Sequence, residues 1–500
     1  MELKKLKSGS DIRGVACGEN KTLTVEVAKK LSMAFAMLVA KKSGKSACEV
    51  SIALGRDSRI SGPTLLQACA EGISETGANV LDFGMCTTPA MYVSILTEGF
   101  THDASIMLTA SHHPWQMNGL KFFTRDGGIS FDMLSEIVSL AESLEENNQN
   151  AKGEIKQVAF LNNYKAQLAT LIKRTLDKEN PKPLTGLHVV VDAGNGAGGF
   201  YSELLAELGA KTSGSQFLEP DGNFPNHPPN PENKEAMHAI AQAVCNNKAD
   251  LGIIFDADCD RSAVVDHTGK EMNRNRLIAL ISAILLEETK GATIVTDSVT
   301  SSGLARFIAE KGGVHYRYKR GYRNVIDEAV RLNSEGIYCP LAIETSGHAA
   351  LKQNHFLDDG MYLATLLLIK TMQLKKENKE LASLLEGLAE PKESVELRLQ
   401  VQAPNFAEVA KEAIQKVTEY AKQQNDWHIA PDNREGIRIA FDVNGQKESA
   451  WFLLRLSVHD PVMPLNAESD VEGGVKVALS NLQKVLTKIE GIDLSPFDTI

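Results

Sequence analysis

Short apolar runs, each ending in a polar or glycine-rich turn and followed by a helical pattern, recur along this chain. Val50–Leu54 precedes Gly55-Arg56-Asp57, Ala104–Leu108 precedes Thr109-Ala110-Ser111, Leu187–Val191 precedes Asp192-Ala193-Gly194, and Ala292–Thr296 precedes Asp297. Runs apolar on both faces suit parallel strands covered by helices, which confines the fold to layered α/β units. Ligands of such units collect at the carboxyl ends of the strands, where all of these loops lie. A stripe of Val25, Ala28, Leu31, Phe35 and Leu38 predicts a core-facing helix over about Thr24 to Lys42.

Asp256-Ala-Asp258-Cys-Asp260-Arg261 carries the strongest chemical signal, because three carboxylates on alternate residues follow the apolar run Leu251–Phe255. Carboxylates this close repel one another and are costly to desolvate, whereas an oxygen-seeking divalent cation turns the crowding into coordination. A solvated acidic loop is the competing reading. An EF-hand is excluded: counting from Asp256, the sixth residue is Arg261 where glycine is required, and the twelfth is His267 where glutamate is required.

Thr109-Ala-Ser111-His112-His113-Pro114 displays a small hydroxyl at a strand end between imidazoles, with Asn118-Gly-Leu-Lys121 close behind. Ser111 is therefore a candidate nucleophile, although a serine in a turn is more often a cap. No G-x-S-x-G elbow surrounds it, which disfavours a hydrolase triad. Gly194-Asn-Gly196-Ala-Gly-Gly199 matches the dinucleotide fingerprint G-x-G-x-x-G, with Glu219 near the ribose offset. The asparagine- and proline-rich run Pro220–Pro231 spoils the second half of that motif, so a dehydrogenase is a weaker reading. Gly44-Lys45-Ser46 lacks the upstream glycine of a P-loop, since Val39 stands there. Farther on, Lys319-Arg320-Gly321-Tyr322-Arg323, Glu344-Thr-Ser346-Gly347-His348 and Arg455-Leu-Ser457-Val-His459-Asp-Pro461 supply cations, a carboxylate, hydroxyls and imidazoles. These groups suit a sugar phosphate and proton transfer near neutral pH.

At roughly 150 residues per domain, 500 residues suggest three or four domains. The polar stretch 142–153 and the segment Glu287–Gly291 mark breaks, and a charged helix is expected over Leu374–Leu388. Alternating strands follow at Ser394–Leu399, Ile437–Phe441 and Ala450–Leu456, with helices near 405–423 and 474–488. The expected divisions are 1–154, 155–288, 289–388 and 389–500, the last a small α+β domain. A net charge of -11 argues against nonspecific nucleic-acid or anionic-lipid binding. Seven singly scattered cysteines suit a reducing compartment. No run of about 18 uncharged apolar residues occurs, and the amino terminus lacks a signal-peptide pattern. The expectation is a cytoplasmic protein with no membrane partner.

In their joint order, Ser10-Asp-Ile-Arg13-Gly, Gly55-Arg56-Asp57-Ser-Arg59 and the Ser111, Asp256, Glu344 and Arg455 loops resemble the α-D-phosphohexomutase family, which includes phosphomannomutase/phosphoglucomutase and phosphoglucosamine mutase. The resemblance implies three mixed-sheet α/β domains and a carboxyl-terminal α+β phosphate-binding domain around a central cleft. It implies a phosphoserine at Ser111, with Mg²⁺ held by Asp256, Asp258, Asp260 and a phosphoserine oxygen, and a hexose 1,6-bisphosphate such as glucose 1,6-bisphosphate as intermediate and activator. Arg13, Lys121 and Arg261 would stabilise transferring charge, with Lys121 or His348 assisting proton transfer. Glu344 and Ser346 would hold sugar hydroxyls, Arg320 and Arg323 would join the substrate site, and Arg455 and Ser457 would bind the phosphate that is not reacting. A monomer or homodimer acting on mannose or glucose phosphates is implied, with glucosamine phosphate or a non-catalytic sugar-phosphate sensor as alternatives.

Two departures stand out. His113 replaces the family's asparagine, and Val458, His459 and Asp460 replace Gly-Thr-Glu in the terminal loop. A protonated His459 could supply the missing donor, so phosphate affinity should weaken as pH rises through about 6–7. Isothermal titration of phosphate across that range checks this; a flat profile, or one unchanged in His459→Ala, contradicts it.

Overall fold

Thr24 caps the first long helix, Val25–Ser43, by accepting from the Val27 amide, and Gly44, in the left-handed region at φ 68, ends it. The structure, a computed structural model, describes residues 3–144, 152–457 and 461–499. Ala28, Leu31, Phe35 and Leu38 of this helix are buried as the stripe requires, but Val25, in the first turn, is 40% exposed. The chain divides into two units, Met1–Leu277 with Ser346–Leu384, and Ile278–Thr345 with Leu385–Ile500.

The first unit holds two sheets. In one, Ser51–Arg56 lies parallel to both Asn79–Met85 and Ala104–Leu108, as runs apolar on both faces should. The antiparallel strand Met117–Thr124 follows Ala104–Leu108, and Asp11–Val15 pairs with it in turn. This register sets Lys121 opposite Met107 and Arg13 opposite Gly119. The short strand Ile155–Gln157 extends the sheet beyond residue 154 by pairing with Asn79–Met85. In the other sheet, Leu251–Phe255 lies parallel to Val189–Asp192 and antiparallel to Ser262–Asp266. The acidic loop is thus the turn of a hairpin, closed by the Phe255–Ser262 pair.

The unit's second segment contributes the hairpin Ala349–Leu351 with Leu357–Asp358 and then the helix Gly360–Lys376. This corrects the helix expected over Leu374–Leu388. The chain leaves the helix at Glu377, Asn378 takes a left-handed conformation at φ 55, and only a short 3₁₀ turn, Leu381–Leu385, follows. Gly360–Lys376 is buried around most of its circumference, so it lacks the one-sided stripe by which a surface helix is recognised.

In the second unit, Thr293–Thr296 lies parallel to Val314–Arg317 and to Leu341–Ile343. A separate antiparallel sheet runs in the order Glu393–Gln400, Val462–Ser469, Gln446–Leu454, Ile437–Val443, Trp427–Ile429. Helices Phe406–Ala421 and Gly474–Leu486 pack on it around Leu399, Phe441, Phe452, Leu465 and Leu482. Among the described residues, no helix is long and apolar enough to cross a membrane.

Candidate active site

Two loops of the first unit meet at one hydroxyl. Ser111 follows the strand Ala104–Leu108 in a left-handed conformation, φ 52, uncommon for a residue with a side chain. Its Oγ donates to Asp256 Oδ2 at 2.9 Å and accepts from Arg261 Nη2 at 2.8 Å. Arg261 is braced in turn by Asp256, through Nε at 3.1 Å, and also touches His112 Nδ1. Burial, and then the Arg261 charge, push the His112 imidazole down to about 2, so it stays neutral. Ser111 is itself buried.

Lys121 brings its ammonium to Asp258 Oδ2 at 3.0 Å and to Asp260 Oδ2. Thr88 donates to Asp258 at 2.5 Å. Arg13 reaches Asp11 at 3.4 Å, and its charge adds to burial in lowering His113 to about 4. The His348 side chain pairs with Asp358 at 2.5 Å, and its backbone pairs antiparallel with that of Arg261. Burial opposes its charge, but Asp358 and Asp260 outweigh that and hold the imidazole up to about 9. It is therefore a cation at neutral pH, not the neutral base that an isolated histidine suggests.

The acidic trio fits a cation. Ligand oxygens of Asp256, Asp258 and Asp260 lie within 4.8 Å of one another, and all three side chains are buried. Among the described residues, Asp258 Oδ1 and Asp260 Oδ1 have no hydrogen-bond partner, and burial followed by the charges of Asp260 and Asp258 drives the Asp256 carboxyl far above its ordinary range. Crowded hard oxygens with unsatisfied lone pairs are what a small divalent ion coordinates.

The glycine run after Val189–Asp192 serves this loop. A Cβ on Gly196 would stand 2.6 Å from the Ala257 carbonyl and one on Gly199 2.1 Å from that of Leu218, while the Ala197 amide donates to the Ala257 carbonyl at 2.9 Å. These glycines allow backbone to approach the acidic turn, which accounts for them without a dinucleotide.

Arg59 is a residue whose role the sequence did not reveal. It is 0% exposed, and all five N–H donors are used: Nε to Asp57 at 3.0 Å, Nη1 to the carbonyls of Pro114 and Met117, and Nη2 to those of Ser111 and His113. Asp57 also accepts from Thr109 Oγ1 at 2.8 Å, and Thr109 accepts from the Ser111 amide. The pair clamps the Ser111 loop. The signal was a charged motif, Arg56-Asp57-Ser-Arg59, after a buried strand, but nothing in it indicates which carbonyls the guanidinium reaches. Arg59→Met should cost about 3–5 kcal/mol in urea denaturation, since it strands a buried carboxylate; a loss below about 1 kcal/mol contradicts the clamp.

The second unit gathers other expected residues. Glu344 ends the strand Leu341–Ile343 and accepts from the Gly321 amide at 2.6 Å. Arg320 donates its amide to Glu435 at 3.1 Å, and Arg455 Nη1 lies 3.9 Å from the same carboxylate. The Ser457 amide donates to Val462 at 3.0 Å. Arg323 instead pairs with Asp327 along its own helix at 2.9 Å. Ser346, in the first unit, has a buried Oγ without a hydrogen-bond partner. His459 lies outside the described residues.

Three models of the phosphoglucomutase/phosphomannomutase family match consecutive stretches: alpha/beta/alpha domain I at residues 4–148, domain II at 162–269 and domain III at 273–391. The chain belongs to this family. The chain is 32% identical over 467 residues to a phosphomannomutase/phosphoglucomutase of Pseudomonas syringae, covering 92% of this chain and 90% of that one. It is 31% identical to a phosphoglucosamine mutase of Ligilactobacillus salivarius, covering 93% and 99%. A phosphoglucomutase/phosphomannomutase family protein from Burkholderia thailandensis, 28% identical, superposes over 98% of both chains with a TM-score of 0.80. Membership makes this chain an isomerase of the phosphohexomutase type, and its acidic cluster could hold a metal ion.

Proposed function

We propose that this enzyme interconverts hexose 1-phosphates and hexose 6-phosphates, mannose and glucose first, through a phosphoserine at Ser111. The observation that carries the reading is the Ser111 hydroxyl held between Asp256 at 2.9 Å and Arg261 at 2.8 Å, beside an acidic trio suited to a cation. In the first half-reaction the P–Oγ bond of phosphoserine breaks, the free 6-hydroxyl of a hexose 1-phosphate forms the new P–O bond, and its proton passes to the departing Ser111 Oγ. The resulting 1,6-bisphosphate turns around. Its other phosphoryl then moves to Ser111 Oγ, and the proton returns to the oxygen left on C1.

Arg261, Lys121 and Arg13 supply fixed positive charge around the transferring phosphoryl, where preorganised cations contribute most. Mg²⁺, held by Asp256, Asp258, Asp260 and a phosphoserine oxygen, would supply further neutralisation of phosphoryl charge. His348, cationic up to about pH 9 beside Asp358, is suited to donating a proton to the oxygen that leaves phosphorus, with Lys121 as the alternative. Glu344 and Ser346 would hold sugar hydroxyls, Arg320 and Arg323 would join the substrate site, and Arg455, Ser457 and His459 would bind the distal phosphate. A hexose 1,6-bisphosphate would restore phosphoserine lost by hydrolysis. Activity is expected in the monomer or a homodimer.

Turnover measured side by side on mannose, glucose, glucosamine and N-acetylglucosamine 1-phosphates tests the substrate ranking. Mannose or glucose should lead. Preference for glucosamine 1-phosphate would replace the ranking, and no turnover on any of them would leave a sugar-phosphate sensor.

A further inference from the structure

The Arg455 region of the second unit already contains an anion. Glu435 stands between the strand end that carries Arg455 and the loop that carries Arg320. Its Oε2 accepts from Ser298 Oγ at 2.5 Å and from the Arg320 amide at 3.1 Å, and its Oε1 lies 3.9 Å from Arg455 Nη1. The Glu435 side chain is 17% exposed and that of Arg455 13%, so the charges are only partly screened by water. Arg455 Nε is buried and has no hydrogen-bond partner among the described residues. Hydroxyl, backbone amide and guanidinium converging on one carboxylate are a phosphate-binding donor set.

We propose that Glu435 is a built-in anion occupying the distal phosphate pocket, which an incoming substrate phosphate must displace or out-compete, so that this carboxylate sets phosphate affinity. The idea rests on the mutase reading for its ligand but not for its geometry. Buried cations left without a counter-charge are costly, so a resident carboxylate keeps Arg455 neutralised between turnovers. It also keeps the pocket from holding phosphate too tightly. An enzyme that must release and rebind a bisphosphate in two orientations gains turnover from moderate binding, because uniform binding lowers KM without raising kcat.

Glu435→Gln retains an oxygen for Ser298 and the Arg320 amide while deleting the charge. Removing one like charge within several ångströms of a phosphate should tighten binding of inorganic phosphate about tenfold by isothermal titration. KM for the hexose 1-phosphate should fall with it, and kcat should stay level or drop. Glu435→Asp, which keeps the charge, should not tighten binding. Arg455→Ala should abolish the tightening when combined with Glu435→Gln. Phosphate affinity in Glu435→Gln equal to or weaker than wild type overturns the proposal, since that is what a merely structural tie between Ser298 and Arg320 would give. Tightening that survives Arg455→Ala overturns it too. Because titration with inorganic phosphate needs no turnover, the pocket can respond as stated even in a chain that fails every mutase assay, and the two readings fall separately.

Discussion

Ser111→Ala is expected to lower turnover by about four orders of magnitude, the scale on which deletion of a nucleophile removes the covalent route. Its effect on stability should be small but not zero. Ser111 is buried, bridging Asp256 and Arg261, so it is not the surface hydroxyl that a loop position suggests. Losing that bridge should cost about 1 kcal/mol, while Arg261 keeps its contacts with Asp256 at Nε and at the backbone amide. Steady-state rates and urea denaturation on one preparation check both statements. Turnover within tenfold of wild type would put the nucleophile elsewhere, and a stability loss above about 3 kcal/mol would make the rate unreadable as chemistry. In that event Ser111→Cys, which restores a nucleophilic atom at the same position, should recover part of the rate.

The second large effect concerns the acidic hairpin turn. Chelation of divalent cations should reduce turnover at least about a thousandfold, since charge neutralisation worth several kcal/mol is withdrawn from the transferring phosphoryl. The same cation should stabilise the fold, by about 2.7 kcal/mol at a hundredfold excess over its Kd. Melting scans with and without Mg²⁺ separate this from an effect on catalysis alone. Asp258→Asn should remove most of the thermal gain, because a ligand oxygen, Asp258 Oδ1, that has no hydrogen-bond partner is replaced by a weaker one or by an amide nitrogen. An equal rise in melting temperature for wild type and Asp258→Asn would mean that the cation binds elsewhere. Undiminished turnover after exhaustive chelation would remove the metal from the account.

Legibility in the sequence followed the locality of the cause. Leu251–Phe255 and Ala104–Leu108 are strands at the residues where apolar runs stop at charged or hydroxyl residues, because a parallel strand buried on both faces must end where its side chains cease to be apolar. Thr24 and Gly44 mark a helix by local hydrogen bonding and backbone conformation, which travel with the residues themselves. Gly360–Lys376 escaped because burial on most sides erases the period by which helices are recognised. The Gly194–Gly199 run matched a nucleotide motif, yet close backbone contact with Ala257 and Leu218 explains it. Glycine spacing reports close approach and does not identify what approaches.

The site divides in the same manner. Ser111, Asp256, Asp258, Asp260 and Arg261 come together because each sits at or beside a strand end, and Lys121 joins them from within Met117–Thr124, where the strand register sets it opposite Met107. Arg59, Asp358 and Glu435 were illegible as site residues because Arg59 and Glu435 act on partners such as Ser111 and Ser298, 52 and 137 positions away, and Asp358 acts through a burial that no local pattern records. His348 shows the limit for electrostatics. Its residue type suggests titration near neutrality, whereas Asp358 and Asp260 hold its charge up to about pH 9.

Storage of a phosphoryl group on Ser111 is the central step of the proposed mechanism, and mass spectrometry reads it directly. Purified protein incubated with glucose 1,6-bisphosphate and Mg²⁺, then digested, should carry one phosphoryl group on the peptide containing Ser111, and the label should pass to added hexose monophosphate. An unlabelled Ser111, or a phosphoryl group found on another residue and competent for transfer, would contradict the account.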